Sequence, residues 1–114
     1  MTRALGEFEL LLLSAVLRLE GDAYGASVLR EIESCTGREP VAGAVYTGLR
    51  RLEARGLLRS EVGDPTPERG GRRKRFFRLE PEGAEALASS LDAIRRISAG
   101  LDEALDVLRG ADGA

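Results

Sequence analysis

Between Val62 and Phe76 the chain reads GDPTPERGGRRKR, and this stretch limits the fold more than any other. Two prolines cannot donate to a sheet ladder, and a Gly-Gly pair does not hold a helix. Neither regular element can run through it. Leu57, Leu58 and Val62 stand before it, and Phe76, Phe77 and Leu79 stand after it. The arrangement predicts two short strands joined by a long hairpin tip. The returning side is basic: Arg69, Arg72, Arg73, Lys74, Arg75 and Arg78 occur with no acid among them. Such a run is ordinarily a solvated loop or a disordered tail. Held on a hairpin, it reads instead as a clamp on phosphates.

The preceding segment decides between those readings. In VAGAVYTGLRRLEARG, Val45, Leu49 and Leu52 fall at i, i+4 and i+7 and share one helical face, with Val41 one turn earlier on that side. That face should be buried. Gly43, Thr47, Arg50, Arg51 and Ala54 then point outward, with Tyr46 on the flank. The outward face is small at its start and basic in its middle. A bulky side chain at Gly43 or Ala44 would keep the helix out of a groove, while Thr47 and Arg50 can reach base edges or phosphates. Arginine is the commonest reader of guanine. Taken alone, Arg50, Arg51 and Arg55 describe a solvated helix face paired with Glu53. Gly56 suits a left-handed helix terminator. A helix followed by a β-ribbon with a basic tip can reach two parts of one DNA duplex, the major groove and the flanking backbone.

The pattern GAVYTGLRRLEARGLL, followed by GDPTPERGGRRKRFFRLEPEG, resembles the PadR family of winged-helix transcription regulators. The earlier segment DAYGASVLREIESCTG resembles that family's second helix. The resemblance covers Leu5 to Gly83, and the remainder matches the family's short branch, with a single C-terminal helix. It implies a transcription regulator, most commonly a repressor, since a bound dimer blocks polymerase. In the family a Thr usually precedes the proline at position 81 and caps the last helix; Glu80 stands there instead.

Composition sets outer bounds. A chain of 114 residues with 43% apolar content suits one core. The formal net charge of −2 hides an asymmetry. The hairpin is basic, while Glu80, Glu82, Glu85, Asp92, Asp102, Glu103 and Asp106 make the C-terminal segment acidic. With one cysteine and no His, neither an intrachain disulfide nor a thiolate or imidazole zinc site is expected, and no metal or cofactor is called for. An enzyme would need a nucleophile, base or metal constellation, and none is apparent. Cys35 reads as a small packing residue. The apolar run Leu10 to Leu13 is too short to span a bilayer, no signal pattern appears, and the expected location is the cytoplasm, away from membranes.

From Leu5 to Leu19 apolar residues occupy nearly every face, which predicts a helix buried on more than one side. Either it is a central core helix, or one face, with Leu10 and Leu13, packs against a second chain. Gly21-Asp22 breaks the pattern, with Asp22 as N-cap candidate. A second helix then runs from about Tyr24 to Thr36, with Val28, Leu29 and Ile32 inward and Gly37 as its stop. Tyr24 reads as closing the corner against the first helix, and Gly25 as allowing close approach. Arg38-Glu39-Pro40 turns the chain into the helix of Val41 to Arg55, which makes a helix-turn-helix.

Pro81 opens the last helix. Leu87, Ile94, Leu101 and Leu108 recur every seven residues, with Leu91, Ile97, Ala104 and Leu105 widening the stripe. The expected architecture is mainly α (α+β): a winged helix-turn-helix over residues 1–80 with a two-stranded β wing, a long dimerisation helix over 81–109, and a frayed tail over 110–114. Gly100 marks a kink or a close crossing in that helix. The interface of a homodimer would hold Leu10, Leu13, Leu87, Leu91, Ile94, Ile97, Leu101, Leu105 and Leu108.

The leading expectation is a homodimeric repressor on a palindromic operator. Gly43, Tyr46, Thr47, Arg50 and Arg51 would lie on the recognition helix, and Arg69, Arg72, Arg73, Lys74 and Arg75 on the wing. The alternative is a winged-helix adaptor that binds an acidic protein without specific DNA binding. Some members of the family bind aromatic or drug-like effectors at the dimer interface. This chain has no Trp and no aromatic in its last helix, so the sequence supplies little stacking surface for one.

Overall fold

The computed structural model describes residues 4–63 and 73–113, with side chains through residue 110. The element order is α1 (Glu7–Arg18), α2 (Gly25–Thr36), α3 (Ala42–Ala54), β1 (Leu58–Val62), β2 (Arg75–Leu79), α4 (Pro81–Ser98) and α5 (Leu101–Gly113). The hairpin tip, with Arg69 and Arg72, lies outside the described residues.

The core forms where α1, α2, α3 and the start of α4 meet one face of the hairpin. Leu12, Leu13 and Val16 of α1 pack with Val28 and Ile32 of α2, Val45, Leu49 and Leu52 of α3, and Leu58 and Phe77 of the strands. The 3.6-residue spacing on each helix places these side chains on one stripe. The strands pair antiparallel, with Ser60 opposite Phe77. Alternation along β2 therefore sends Phe77 into the core, while Phe76 and Arg78 take the other face. Phe77 N–H also donates to the Ala23 carbonyl at 2.8 Å, which ties the approach to α2 onto the free edge of β2.

Several local expectations are corrected by packing. The N-cap of α2 is Tyr24 and not Asp22: Tyr24 N–H donates to Ser27 Oγ at 2.8 Å, and that hydroxyl donates back to the Asp22 carbonyl at 2.7 Å. Tyr24 does not close the corner against α1; its ring meets Phe76 edge-on, centroids 5.5 Å apart. Gly25 has open space around it. Among the described helical glycines the close approaches occur at Gly48, where a methyl would strike Leu12 of α1, and at Gly83. Val41 is the N-cap of α3 and is 73% exposed, so it does not join the buried stripe. Cys35 is exposed rather than packed, with its thiol 3.5 Å from Glu31 Oε2.

Gly83 packs against backbone. An added Cβ would overlap the Leu57 carbonyl oxygen, which is itself fixed by accepting from Glu80 N–H at 3.0 Å. Because a carbonyl cannot swing aside as a side-chain tip can, Gly83→Ala should force α4 outward and cost roughly 1–3 kcal/mol. A urea midpoint matching wild type would contradict that packing.

The C-terminal segment is two helices, not one. Ala99 leaves helical geometry at ψ 128°, and Gly100 takes φ +80°, a conformation open to glycine and strained for other residues. α5 then continues to Gly113, beyond the expected fraying point at residue 110. Glu80 lends no side-chain cap to α4; its carboxylate instead takes a hydrogen bond from Arg59 at 3.0 Å.

Candidate nucleic-acid interface

The buried stripe of α3 fixes what its other face presents. With Val45, Leu49 and Leu52 each no more than 1% exposed, the helix cannot roll. Gly43, Tyr46, Thr47, Arg50, Arg51 and Ala54 are consequently all exposed. No atom lies within 4 Å of a Cβ built on Gly43, so the start of this face is flat. Gly56, at φ +82°, ends the helix: its N–H donates to the Glu53 carbonyl, and Leu57 N–H donates to that of Leu52. That turn sends the chain straight into β1, so helix and hairpin share a rigid joint.

Arg50 is held in place rather than free. Its Nε lies 3.3 Å from Glu53 Oε1, and its Nη1 donates to Tyr46 Oη at 3.2 Å, with the guanidinium 5.9 Å from that ring's centre. The pairing with Glu53 that the helix alone suggested is therefore present. Glu53 does more than neutralise a neighbour. Its other oxygen accepts from Ser60 Oγ at 2.6 Å, and Ser60 Oγ accepts from Arg75 Nη1 at 3.0 Å. One polar chain thus runs from the outward face of α3 through β1 to β2. Arg75 is half-buried in it and is committed to Ser60, while Arg73 is exposed at the root of the hairpin. Arg51 lies exposed on α3. Nothing local in the sequence marked Ser60, because its partners lie on other elements.

Elsewhere, several cations are committed to carboxylates. Arg38 holds Glu7 through two hydrogen bonds, at 2.6 and 3.3 Å, and its guanidinium keeps that carboxyl below the usual range. Arg18 does the same to Glu31 at 2.7 Å. Both pairs are solvent-exposed and tie helices together with little net stabilisation. Among the described residues no group of three or more His, Cys, Asp or Glu side chains could hold a metal ion, and no helix is long and apolar enough to cross a membrane.

The apolar residues expected at a dimer interface divide in two. Leu13 and Leu87, expected at a dimer interface, are buried in their own protomer at 0% and 3% exposure, as the helix-periodic stripe is claimed first by the local core. Leu10 and Leu91 are half-buried against that core. Ile94, Ile97, Leu101, Leu105 and Leu108 are all exposed, and every residue from Asp92 to Gly110 is exposed. Leu17 and Val107, which the sevenfold spacing does not select, join them.

A three-helix body with a hairpin after the third helix is the winged helix-turn-helix arrangement, and its sequence pattern extends over most of the chain. The model of the transcriptional regulator PadR-like family matches residues 12–89, from α1 into α4. The chain belongs to the PadR-like family. Among the described residues five helices accompany a two-stranded antiparallel sheet, a fold that matches PadR-like regulators of known structure. The chain is similar to a PadR family transcription regulator from hypervirulent Clostridium difficile, with TM-score 0.71 and 22% identity over 88% of this chain and 99% of that one. It is also similar to a PadR family transcriptional regulator from Eggerthella lenta, with TM-score 0.65 and 25% identity over 84% and 81%. A third likeness is to hsRosR in the complex hsRosR-S1, with TM-score 0.62 and 25% identity over 96% and 92%. A curated relative, an uncharacterised 37.1 kDa transposon protein of Streptomyces fradiae, is 34% identical over 79 residues. The chain covers 69% of its own length there and spans about a fifth of that relative, 21%. The PadR-like family is one of transcriptional regulators, not of enzymes.

Proposed function

We propose that the protein binds DNA as a homodimer and represses transcription from a palindromic operator. Residues 1–80 act as the reader, and residues 81–109 join two copies. The observation that carries this reading is the outward face of α3. It is flat at Gly43, polar at Tyr46 and Thr47, cationic at Arg50 and Arg51, and linked by Glu53 and Ser60 to the hairpin. A helix of that profile fits a major groove, and half-sites on a two-fold axis then fall about one helical turn, ~34 Å, apart. Arg73 and Lys74, with Arg69 and Arg72 of the tip, supply phosphate contacts.

The two groups of arginines should behave differently. Arg50→Ala removes a base-reading fork and should relax sequence preference by ~1–3 kcal/mol at one operator position. Arg73→Ala removes a phosphate contact. It should weaken every sequence about equally and reduce the log–log salt slope by about 0.9. Fluorescence anisotropy across a salt series, on operator and scrambled duplexes, reads both quantities. If no genomic fragment binds above a scrambled control, an adaptor that meets an acidic protein partner would replace the repressor.

A further inference from the structure

The place where α2 meets the root of the hairpin holds two cations with an unusual arrangement. Arg30 of α2 donates through Nη2 to Tyr24 Oη at 3.1 Å. Lys74, the residue before β2, sets its Nζ 4.2 Å from the centre of the same ring. The ring is braced edge-on by Phe76, so Tyr24 is fixed between the two charges. Lys74 is fixed as well, because its carbonyl accepts from Gly63 N–H at 2.8 Å across the hairpin. Arg18, Arg38, Arg55 and Arg59 each end on a carboxylate. Among the described residues Arg30 and Lys74 have none; what stands between them is a neutral phenol.

We propose that Tyr24, Arg30 and Lys74 form a binding site for a DNA backbone phosphate where α2 meets the hairpin root. The chemistry is complete for that ligand. Arg30 and Lys74 provide charge from two different elements. The Tyr24 hydroxyl, with its oxygen accepting from Arg30, keeps its own proton for an anion. Arg30 and then Lys74 draw the Tyr24 pKa below its ordinary value, which makes the hydroxyl a stronger donor. In a helix-turn-helix the first of the two helices crosses the DNA backbone while the second enters the groove. α2 is that first helix, and the hairpin root is its neighbour. The site therefore rests on the DNA-binding reading above and adds a third contact to it, beyond α3 and the hairpin tip.

The test uses the full chain and three proteins: wild type, Arg30→Ala and Tyr24→Phe. Binding to operator and scrambled duplexes is measured by anisotropy from 50 to about 300 mM salt, with thermal melts to confirm folding. Arg30→Ala should weaken both duplexes to the same extent, roughly tenfold at physiological salt, and lower the salt slope by about 0.9, the signature of one lost phosphate neutralisation. Tyr24→Phe keeps the ring on Phe76 and removes only the hydroxyl. It should weaken both duplexes by roughly threefold with the slope unchanged, since a neutral donor displaces no counterion. If wild type binds and both variants match it in affinity and slope, the site is wrong while the DNA-binding reading stands. A loss confined to the operator would also overturn it, because a phosphate contact carries no sequence information. Should wild type bind no duplex at all, the DNA-binding reading fails and the site fails with it.

Discussion

On the proposed homodimer, placing glutamates at Ile94 and Leu101 together should leave the protein monomeric at concentrations where wild type pairs. The two side chains are 46% and 48% exposed in the protomer, amid Ile97, Leu105, Val107 and Leu108, which are exposed as well. An apolar band of that length is uncommon on a soluble monomer and fits the seam proposed for the homodimer. A carboxylate forced into such a seam must either shed its water, at a cost of several kcal/mol, or keep the seam open. Since neither residue belongs to the protomer core, folding should survive, with an unchanged circular dichroism spectrum. On the same proposal the effect on DNA should be larger than that of any single contact, because two linked half-site readers would bind by avidity. A monomer should lose roughly a hundredfold or more in operator affinity. Sedimentation velocity checks the first expectation and anisotropy the second. A dimer persisting in the double variant would remove this face from the interface.

Phe77→Ala should unfold more of the molecule than any other single truncation. Phe77 is the largest fully buried side chain, at 0% exposure, and it belongs to the core on β2, the strand that packs against α1 and α4. Truncating a buried phenylalanine costs about 3–5 kcal/mol. That is a large part of the ~5–15 kcal/mol by which a domain is stable. The neighbouring Phe76→Ala should cost far less, about 1 kcal/mol, as Phe76 lies on the opposite face and mainly supports Tyr24. Urea denaturation of the pair separates them. Midpoints that fall together would mean that the core does not centre on β2.

Much of this architecture was legible along the chain because it depends on local spacing. Val45, Leu49 and Leu52 determined which face of α3 is hidden, and hence that Gly43, Thr47, Arg50 and Arg51 are presented. Gly37, Gly56 and Pro81 marked the ends of elements because each acts through its own backbone. The prolines and glycines between the strands ruled out continuation of either one. The likeness to PadR regulators is read over Leu5 to Gly83, and the family match covers residues 12–89.

Three-dimensional contact decided the rest. Leu87 follows the same sevenfold spacing as Ile94, Leu101 and Leu108, and no spacing rule says that the first faces its own core and the other three face outward. Tyr24 was assigned to α1, but the edge of β2 draws Ala23 and Tyr24 against Phe76, more than fifty residues later. Glu53 holds Arg50 within one helical turn, which spacing suggests, and Ser60 across a joint, which it does not. Gly100 reads as a kink or a close crossing in one helix, and its left-handed backbone instead ends α4 and starts α5. Periodicity tells which side chains must leave water; only the packed chain tells against what they come to rest.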